Sequence, residues 1–341
     1  MSKRKILLIY TGGTIGSMHD EVTGALKPVD FKKIQELLPE LSRLEVELSF
    51  ESVKQPIDSS DISPENWVEM LEIIEKHYEN VDGFVILHGT DTMAYSASAL
   101  SFMIDHLNKP VILTGSQLPI NVIRSDGKEN ILTAVEIAAC REGDEAKVQE
   151  VCIYFQSKLF RGNRTIKVSA ENFNAFDSPN LHPLAEAGVH IEWQKDLWRS
   201  KSKKTSFFKD IKTGVTVLTM FPGADKNIFE SILKMDSIKA VVLRTYGSGN
   251  APIKEGIDKI LAQAVKNGKV IVNVTQCMSG RVEQDKYYTG KALKDAGVIS
   301  GTDITLEAAI TKLMYLLGRY TDIEDIKTQF IENLRGEKRK N

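Results

Sequence analysis

Hydroxyl-bearing side chains follow two apolar stretches of the sequence, at the points where predicted strands end. Residues 11–16 read Thr-Gly-Gly-Thr-Ile-Gly behind the apolar run 6–9, and Thr11 and Thr14 are the side chains of that turn that could react. Thr90-Asp91-Thr92 follows the apolar run 83–87 in the same way. Open α/β sheets bind ligands at the carboxyl ends of their strands, so we expect both groups to face one crevice. Two threonines beside a carboxylate, with a lysine as base, suggest hydrolysis through a covalent intermediate.

A glycine-rich phosphate loop is the alternative interpretation of residues 11–16. Three glycines after a strand are similar to the dinucleotide pattern Gly-x-Gly-x-x-Gly, but the spacing Gly12-Gly13-x-x-Gly16 departs from it. Neither turn carries the Lys or Arg that a phosphate would favour. Helix or turn capping is the ordinary role of Thr14, Thr90 and Asp91 at such positions, and residue types alone leave that role open.

The elements that must position these loops are read from the apolar periodicity. Apolar runs near 6–9, 46–53, 84–87, 111–113 and 151–155 are separated by segments with helical spacing, which predicts βα units and a mainly parallel sheet. A helix should begin after Ser63 with Pro64 in its first turn. A second helix behind Thr92 is predicted from a stripe of five apolar residues, which are Met93, Ala97, Leu100, Ile104 and Leu107.

The apolar pattern lapses at 194–212, a charged and serine-rich run that we interpret as a linker. This gives an N-terminal catalytic α/β domain over 1–193 and a smaller α/β domain over 213–341. In the second domain, strands are predicted at 215–218, 240–243 and 270–274, and helices at 257–265, 306–317 and 323–334. The predicted fold class is therefore two-domain α/β, with a doubly wound, flavodoxin- or Rossmann-like sheet in the larger domain.

Composition narrows the classes of protein. The chain has 341 residues, 42% hydrophobic and 26% charged, which is typical of a soluble globular protein. A net charge of -2 gives no general attraction to nucleic acid or to an anionic membrane. The run 6–9 is too short for a signal peptide, and no stretch approaches the ~20 apolar residues of a membrane helix.

The three cysteines, Cys140, Cys152 and Cys277, are scattered and lack the spacing of metal ligands. We expect reduced thiols, which favours a cytoplasmic location. His88 ends a predicted strand beside a glycine, and we interpret it as a structural residue. No cluster of His, Cys, Asp and Glu suggests a metal site.

Six short motifs occur in order along the chain. They are Thr11-Gly-Gly-Thr-Ile-Gly16, Asp58-Ser-Ser-Asp61, His88-Gly-Thr-Asp-Thr92, Thr114-Gly-Ser-Gln-Leu-Pro119, Arg161-Gly-Asn-Arg-Thr-Ile-Lys167 and Thr275-Gln-Cys-Met-Ser-Gly280. Together they resemble the L-asparaginases of the bacterial type and specifically their cytoplasmic type I branch. The resemblance covers essentially the whole chain.

The resemblance implies catalytic roles for four residues. Thr14 matches the position that carries the acyl-enzyme in asparaginases. Thr90, Asp91 and Lys167 match the second group, which activates water, and Asp91 would also bind the substrate α-amino group. A lysine has to lie close to a hydroxyl to accept its proton, and a carboxylate can orient the amine. Without the resemblance, Lys167 would be read as a solvated surface charge.

The resemblance also implies residues that bind substrate. Asp58, Ser59 and Ser60 form a loop whose hydroxyl and backbone N–H groups could hold an α-carboxylate, although a turn built of Asp and Ser is the ordinary alternative. Ser116 matches the position near the departing amide. Many relatives close a tyrosine over the nucleophile, whereas residues 23–27 read Thr-Gly-Ala-Leu-Lys. The loop 17–28 is a candidate lid, but the group that activates Thr14 is open.

The implied function is hydrolysis of L-asparagine to L-aspartate and ammonia through an aspartyl ester on Thr14, without metal or cofactor. One alternative is the amidase subunit of an archaeal tRNA amidotransferase, which carries an extra domain ahead of these motifs, whereas ten residues precede Thr11 here. The other is a non-catalytic amino-acid-binding sensor, which would not need the full catalytic set. The resemblance implies a homodimer or homotetramer, with no nucleic-acid or membrane partner.

A regulatory pocket that binds a second asparagine is also implied. Arg244, Thr275 and Cys277 match residues of that pocket, and Arg244 could grip an α-carboxylate through two hydrogen bonds. Some relatives carry a threonine just before the catalytic lysine, whereas this chain has Ile166. We therefore expect weak coupling between the effector and Lys167.

Overall fold

The structure is a computed structural model that describes residues 3–19, 26–28, 38–199, 204–253 and 256–339. The chain divides into two units, Met1–Lys209 and Asp210–Asn341. The predicted linker 194–212 spans this division. Parts of it belong to the first unit, since Lys195–Leu197 forms a 3-10 turn and Ser206–Phe207 pairs as a strand. The assignment of residues 1–193 as the catalytic domain and of residues 213–341 as a smaller second domain remains a prediction.

Three helices and sixteen strands are described in the first unit. The helices are α1 (Pro64–His77), α2 (Met93–Met103) and α3 (Gly127–Ala139). The strands are β1 (Arg4–Gly12), β2 (Ser17–His19), β3 (Leu26–Pro28), β4 (Val46–Ile57), β5 (Gly83–Leu87), β6 (Ile104–Asp105), β7 (Val111–Thr114), β8 (Arg141–Glu142), β9 (Glu145–Ala146), β10 (Val151–Phe155), β11 (Lys158–Arg161), β12 (Ile166–Lys167), β13 (Phe176–Asp177), β14 (Ala185–Ala187), β15 (Ile191–Trp193) and β16 (Ser206–Phe207).

Eight of these strands form one sheet in the order β15-β14-β11-β10-β7-β5-β1-β4. The strands from β4 to β10 pair in parallel, and those beyond β10 are antiparallel. Counted along the chain, the five parallel strands lie in the flavodoxin-type order 2-1-3-4-5. The order reverses between β1 and β5, and such folds bind ligands in the crevice at that point. The predicted doubly wound fold is confirmed.

Strand β1 lies inside the sheet, where its residues 6–10 are at most 1% exposed. Burial on both faces explains why this strand reads as a continuous apolar run rather than an alternating one. Alternate residues Ile6, Leu8 and Tyr10 share one core cluster with residues of α3, among them Ile131 and Val135. This core fixes the carboxyl end of β1 relative to the start of α3.

The helix behind Thr92 differs from the prediction. It ends at Met103, and Ile104 and Asp105 form β6, which pairs with β16. The pairing gives the backbone of Ile104 and Asp105 partners outside the helix. Residues 93–103 are buried apart from Tyr95, so the helix is buried nearly all round rather than amphipathic.

The described residues of the second unit form a four-stranded parallel sheet and five helices. Its strands pair in sequence order. They are β17 (Val215–Thr219), β18 (Ala240–Thr245), β19 (Val270–Thr275) and β20 (Ile299–Ser300). The helices are α4 (Lys226–Leu233), α5 (Ile257–Lys266), α6 (Tyr288–Asp295), α7 (Leu306–Arg319) and α8 (Ile323–Ile331). The predicted smaller α/β half is confirmed. Across the described residues, no helix combines the length and apolar character that crossing a membrane requires.

The last predicted helix, 323–334, ends early at Ile331. Lys312 explains why, because its ammonium donates to the carbonyls of Phe330 and Glu332 and forms a fully buried ion pair with Glu337. Glu332 is extended. The lysine therefore satisfies carbonyls that another helical turn would otherwise have bonded.

Candidate active site

Three loops meet at the reversal point between β1 and β5. A Cβ atom on Gly13 would lie 2.4 Å from the Cα of Gly89, and one on Gly89 would lie 2.5 Å from Ser59 Oγ. Gly12 and Gly13 also have positive φ angles of 116° and 86°. Glycine is therefore required at these positions both for backbone conformation and for contact between the loops.

Thr14 opens a short 3-10 turn, Thr14–Gly16, directly after β1 and is half-buried. The other hydroxyl of this loop is differently placed. Thr11 is 2% exposed, and its Oγ1 donates to the Leu87 carbonyl at 3.0 Å, which ties the end of β1 to the end of β5. The structure thus distinguishes the two threonines of this turn. Thr11 is buried with a structural contact, and Thr14 is the more exposed of the two.

Lys167 joins the residues that follow β5. Its Nζ lies 2.8 Å from Thr90 Oγ1 and 2.5 Å from Asp91 Oδ1. The Lys167 side chain is 18% exposed, whereas that of Asp91 is 62% exposed. The carboxylate can therefore hold the ammonium on one side and still face a ligand on the other. This is the predicted hydroxyl, amine and carboxylate group.

A short hairpin holds Lys167 in place. β12 pairs with β13, with Lys167 opposite Phe176. Upstream, the Arg161 guanidinium makes a buried ion pair with Glu150, with Nε 2.5 Å from Oε2. A buried guanidinium without a partner would cost considerable free energy. The ion pair therefore favours the one conformation of the segment before Lys167 in which Arg161 meets Glu150. The lysine is therefore not a freely mobile surface charge.

Gln117, which is not among the predicted site residues, contacts Thr90. Thr90 Oγ1 donates to Gln117 Oε1 at 3.2 Å, and Gln117 Nε2 donates to the Asn172 carbonyl at 3.0 Å. A carbonyl can only accept, so the Asn172 contact fixes which end of the amide faces Thr90. Asp126 accepts from the Gln117 backbone N–H at 3.0 Å. The sequence signal that could have identified Gln117 is its place as a polar residue shortly after β7, the strand that pairs with β5.

The predicted substrate loop has one buried and two exposed residues. Ser59 is 3% exposed and lies behind Gly89, while Asp58 and Ser60 are exposed. Asp58 Oδ1 accepts from the Ser60 N–H at 2.9 Å and from its hydroxyl at 3.0 Å. The aspartate therefore shapes the turn. Ser116 is 1% exposed, and its hydroxyl donates to the Leu118 carbonyl at 2.6 Å.

His88 belongs to a buried chain of hydrogen bonds. Its Nδ1 lies 2.7 Å from the Gly89 carbonyl and must donate, so its Nε2, 2.8 Å from Ser96 Oγ, accepts. Ser96 in turn accepts from Trp67 Nε1. Complete burial lowers the pKa of His88 to about 4, which keeps the ring neutral at pH 7. In this structure His88 orients the peptide that precedes Thr90.

The residues predicted for a regulatory pocket lie in the second unit. Arg244 and Thr275 stand near the carboxyl ends of the adjacent strands β18 and β19. Thr275 Oγ1 donates to the Gly247 carbonyl at 2.6 Å and accepts from the Cys277 N–H at 3.0 Å. Arg244 Nε is buried without a hydrogen-bond partner among the described residues. Of the candidate lid, residues 20–25 lie outside the described part of the chain.

Family comparison agrees with this fold. The family model described as "Asparaginase, N-terminal" matches residues 5–199, and "Glutaminase/Asparaginase C-terminal domain" matches residues 214–330. The chain belongs to the asparaginase family. The resemblance noted in the sequence is therefore confirmed.

Individual relatives are similar over almost the whole chain. L-asparaginase 1 of Escherichia coli (strain K12) is 44% identical over 339 residues, which cover 99% of this chain and 98% of that protein. The crystal structure of L-asparaginase I from Vibrio cholerae has 40% identity and a TM-score of 0.90, with 99% of each chain covered. The 60 kDa lysophospholipase of Mus musculus is 39% identical over 98% of this chain, which corresponds to 62% of that longer protein.

Proposed function

We propose that the protein hydrolyses L-asparagine to L-aspartate and ammonia through an aspartyl ester on Thr14. The observation that carries the proposal is the contact of Lys167 with both Thr90 and Asp91, beside the turn that bears Thr14. The 44% identity to an L-asparaginase over nearly the full chain supports the same substrate. It favours this function over an amidotransferase subunit or a non-catalytic sensor.

Substrate binding uses the exposed groups of the crevice. The Asp91 carboxylate, 62% exposed, is suited to the α-ammonium of asparagine. The Ser60 N–H and hydroxyl, which donate to Asp58 in the structure, would be the donors that the loop Asp58–Ser60 offers to the α-carboxylate when substrate competes for them. With both α groups held, the side-chain amide is directed towards Thr14. Positioning of this kind can supply much of the rate acceleration of an enzyme.

In the first chemical step, Thr14 Oγ attacks the side-chain carbonyl carbon. The hydroxyl proton is transferred to the departing amide nitrogen, ammonia leaves, and the aspartyl group remains as an ester. In the second step, water attacks that ester while its proton passes through the Thr90 hydroxyl to Lys167. The ester bond breaks, Lys167 gives the proton back to the Thr14 oxygen, and aspartate is released.

Substrate binding would bring a second ammonium group to Asp91. In the structure, Lys167 Nζ donates to Asp91 Oδ1 at 2.5 Å. The substrate α-ammonium would share this carboxylate with Lys167 and so lie next to the group that activates water.

Ammonia release tests the function directly. The purified protein should release ammonia from L-asparagine without added metal or nucleotide, and L-glutamine should be a much poorer substrate. One extra methylene displaces the amide from a fixed nucleophile, and a displacement of about 1 Å can cost ~100-fold in rate. A folded protein that releases no ammonia from asparagine would reject the function. Equal turnover of the two amides would reject the selectivity.

We further propose a cytoplasmic homodimer or homotetramer. The three cysteines are free, as expected in a reducing compartment. Closed symmetric assemblies are the usual oligomers of soluble enzymes. Light scattering at micromolar concentration should give two or four chain masses, and the mass of one chain would contradict the proposal.

A further inference from the structure

Tyr10 links the turn that bears Thr14 to the central sheet. The residue lies on β1, two positions before the glycine loop, and is 0% exposed. Its hydroxyl donates to the Gly16 carbonyl at 2.9 Å. Gly16 is the last residue of the 3-10 turn that begins at Thr14 and is itself buried. One side chain therefore connects a rigid strand to the far end of the nucleophile's turn.

Gly16 has the space for this contact because it lacks a side chain. A Cβ at this position would lie 2.4 Å from the ring and from the hydroxyl of Tyr10. Unlike Gly12 and Gly13, Gly16 does not have a positive φ angle. The glycine is therefore explained by the close approach of the tyrosine rather than by backbone conformation.

The two ends of the turn are held in different ways. On the side before Thr14, Gly13 packs directly on Gly89. Within the turn, the hydrogen bond from the Gly16 N–H to the Gly13 carbonyl is long, at 3.3 Å. On the far side, Ile15 is buried near Gly127 of α3, and Gly16 is bonded to Tyr10. The tyrosine hydroxyl supplies a polar, directional contact on that side, beside the pairing of β2 with β3 that follows Gly16.

We propose that Tyr10 is a positioning residue that holds Thr14 for attack on the amide carbon. The inference rests on the proposed function, because it gives Thr14 the role of nucleophile. Tyr10 does not reach the substrate in this scheme. It acts through the Gly16 carbonyl, and its loss would let the turn move relative to the α-group sites at Asp91 and on the loop Asp58–Ser60.

The test is Tyr10→Phe, which removes one hydroxyl and keeps the ring. Tyr154→Phe is a matched control, since Tyr154 is 0% exposed, lies in the same sheet and donates its hydroxyl to Glu129 at 2.7 Å. We expect kcat of Tyr10→Phe to fall roughly 10- to 100-fold, because a nucleophile displaced by a fraction of an ångström reacts more slowly. KM should change by less than about twofold, since the α-group sites are untouched. The control should keep the wild-type kcat with a similar loss of thermal stability.

A covalent probe tests the positioning role of Tyr10 separately from the proposed function. An asparagine analogue with a diazoketone in place of the amide should alkylate the nucleophile, and peptide mass spectrometry locates the label. We expect label on Thr14 in the wild type, formed more slowly in Tyr10→Phe by the same factor as kcat. Label elsewhere in the wild type would reject the nucleophile and, with it, the role of Tyr10. Label on Thr14 at equal rates in Tyr10→Phe and Tyr154→Phe would reject the positioning role alone.

A second variant keeps the test available if Tyr10→Phe cannot be purified. Gly16→Ala leaves the tyrosine in place and forces its ring and the turn apart. The same fall in kcat with little change in KM is expected. A Gly16→Ala protein with wild-type kcat would overturn the inference.

Discussion

Lys167 Nζ lies 2.8 Å from Thr90 Oγ1, although 77 residues separate them in the chain. Thr90 follows the central strand β5, whereas Lys167 lies in the small hairpin of β12 and β13. Tertiary structure alone makes this contact. It places an amine beside a threonine that would otherwise be an ordinary polar residue before a helix.

Removing either member of this pair should nearly abolish turnover. Lys167→Met and Thr90→Val should each lower kcat by ~1000-fold or more, and the double variant should be no worse than the single ones, because residues that act as a unit are not additive. Steady-state ammonia release measures all three variants. Lys209→Met, which removes an exposed lysine paired with Glu75, is the control and should keep full activity. Losses that multiply in the double variant would contradict a shared step.

Gln117 should hold the Thr90 hydroxyl in place. Gln117→Leu removes the acceptor, and the loss of one neutral hydrogen bond is worth about 1 kcal/mol, or about fivefold in kcat. The exposed Gln263, whose amide contacts Asn267, provides a control in Gln263→Leu, for which no change is expected. The measurement is kcat with asparagine. An unchanged or increased rate in Gln117→Leu would show that Thr90 does not need this contact.

The sequence predicted the central strands because they are buried on both faces and so read as apolar runs. It also placed Thr14, Thr90 and Asp91 at strand ends. Gln117 and Tyr10 were missed for a physical reason. Each acts through a hydrogen bond whose partner is fixed by folding, and neither residue type marks that partner in advance. The early end of α2 was missed because its next two residues pair with Ser206–Phe207, about 100 residues away.

Burial of His88 should make the protein sensitive to mild acid. Its folded pKa, about 4, lies below the ordinary value of 6.5, so the unfolded state binds more protons between these values. The stability that comes from burying His88 in its neutral form is fully present above pH 6.5 and is lost as the pH falls towards 4. The change in the free energy of unfolding is about 3 kcal/mol. Urea denaturation at several pH values measures this change.

A substitution isolates the His88 contribution. His88→Asn keeps a donor for the Gly89 carbonyl and does not titrate, so its stability should vary less between pH 6.5 and 4 than that of the wild type. The exposed His190 gives the control His190→Asn, which should retain the wild-type dependence. Identical pH profiles for the wild type and His88→Asn would contradict the assignment.

Regulation by a second asparagine is predicted to be weak. Arg244, Thr275 and Cys277 remain our candidates for the effector pocket, but Ile166 lacks the hydroxyl that some relatives carry beside the catalytic lysine. One missing neutral hydrogen bond costs roughly 1 kcal/mol, about fivefold in affinity. Allostery also requires the effector to favour one state over the other, and the threonine that this chain lacks directly precedes the lysine in the sequences of those relatives.

The dependence of the initial rate on asparagine concentration should therefore be near-hyperbolic, or should show cooperativity only at high concentration. Ile166→Thr should increase the cooperativity, whereas Arg244→Ala should remove whatever cooperativity exists. Initial velocities over a wide range of asparagine concentration check all three proteins. A clearly sigmoidal wild-type curve in the range where the active site saturates would show that Ile166 does not limit the coupling.

The most direct measurement is the mass of the covalent intermediate. In Thr90→Val the first step should proceed while water activation fails, so rapid acid quenching after addition of asparagine should trap the ester. Intact mass spectrometry should show one added aspartyl group per chain, and peptide mapping should place it on Thr14. Thr14→Ala, with its fold confirmed by circular dichroism, should carry no adduct and release almost no ammonia. An adduct on another residue, or near wild-type turnover by Thr14→Ala, would contradict the account.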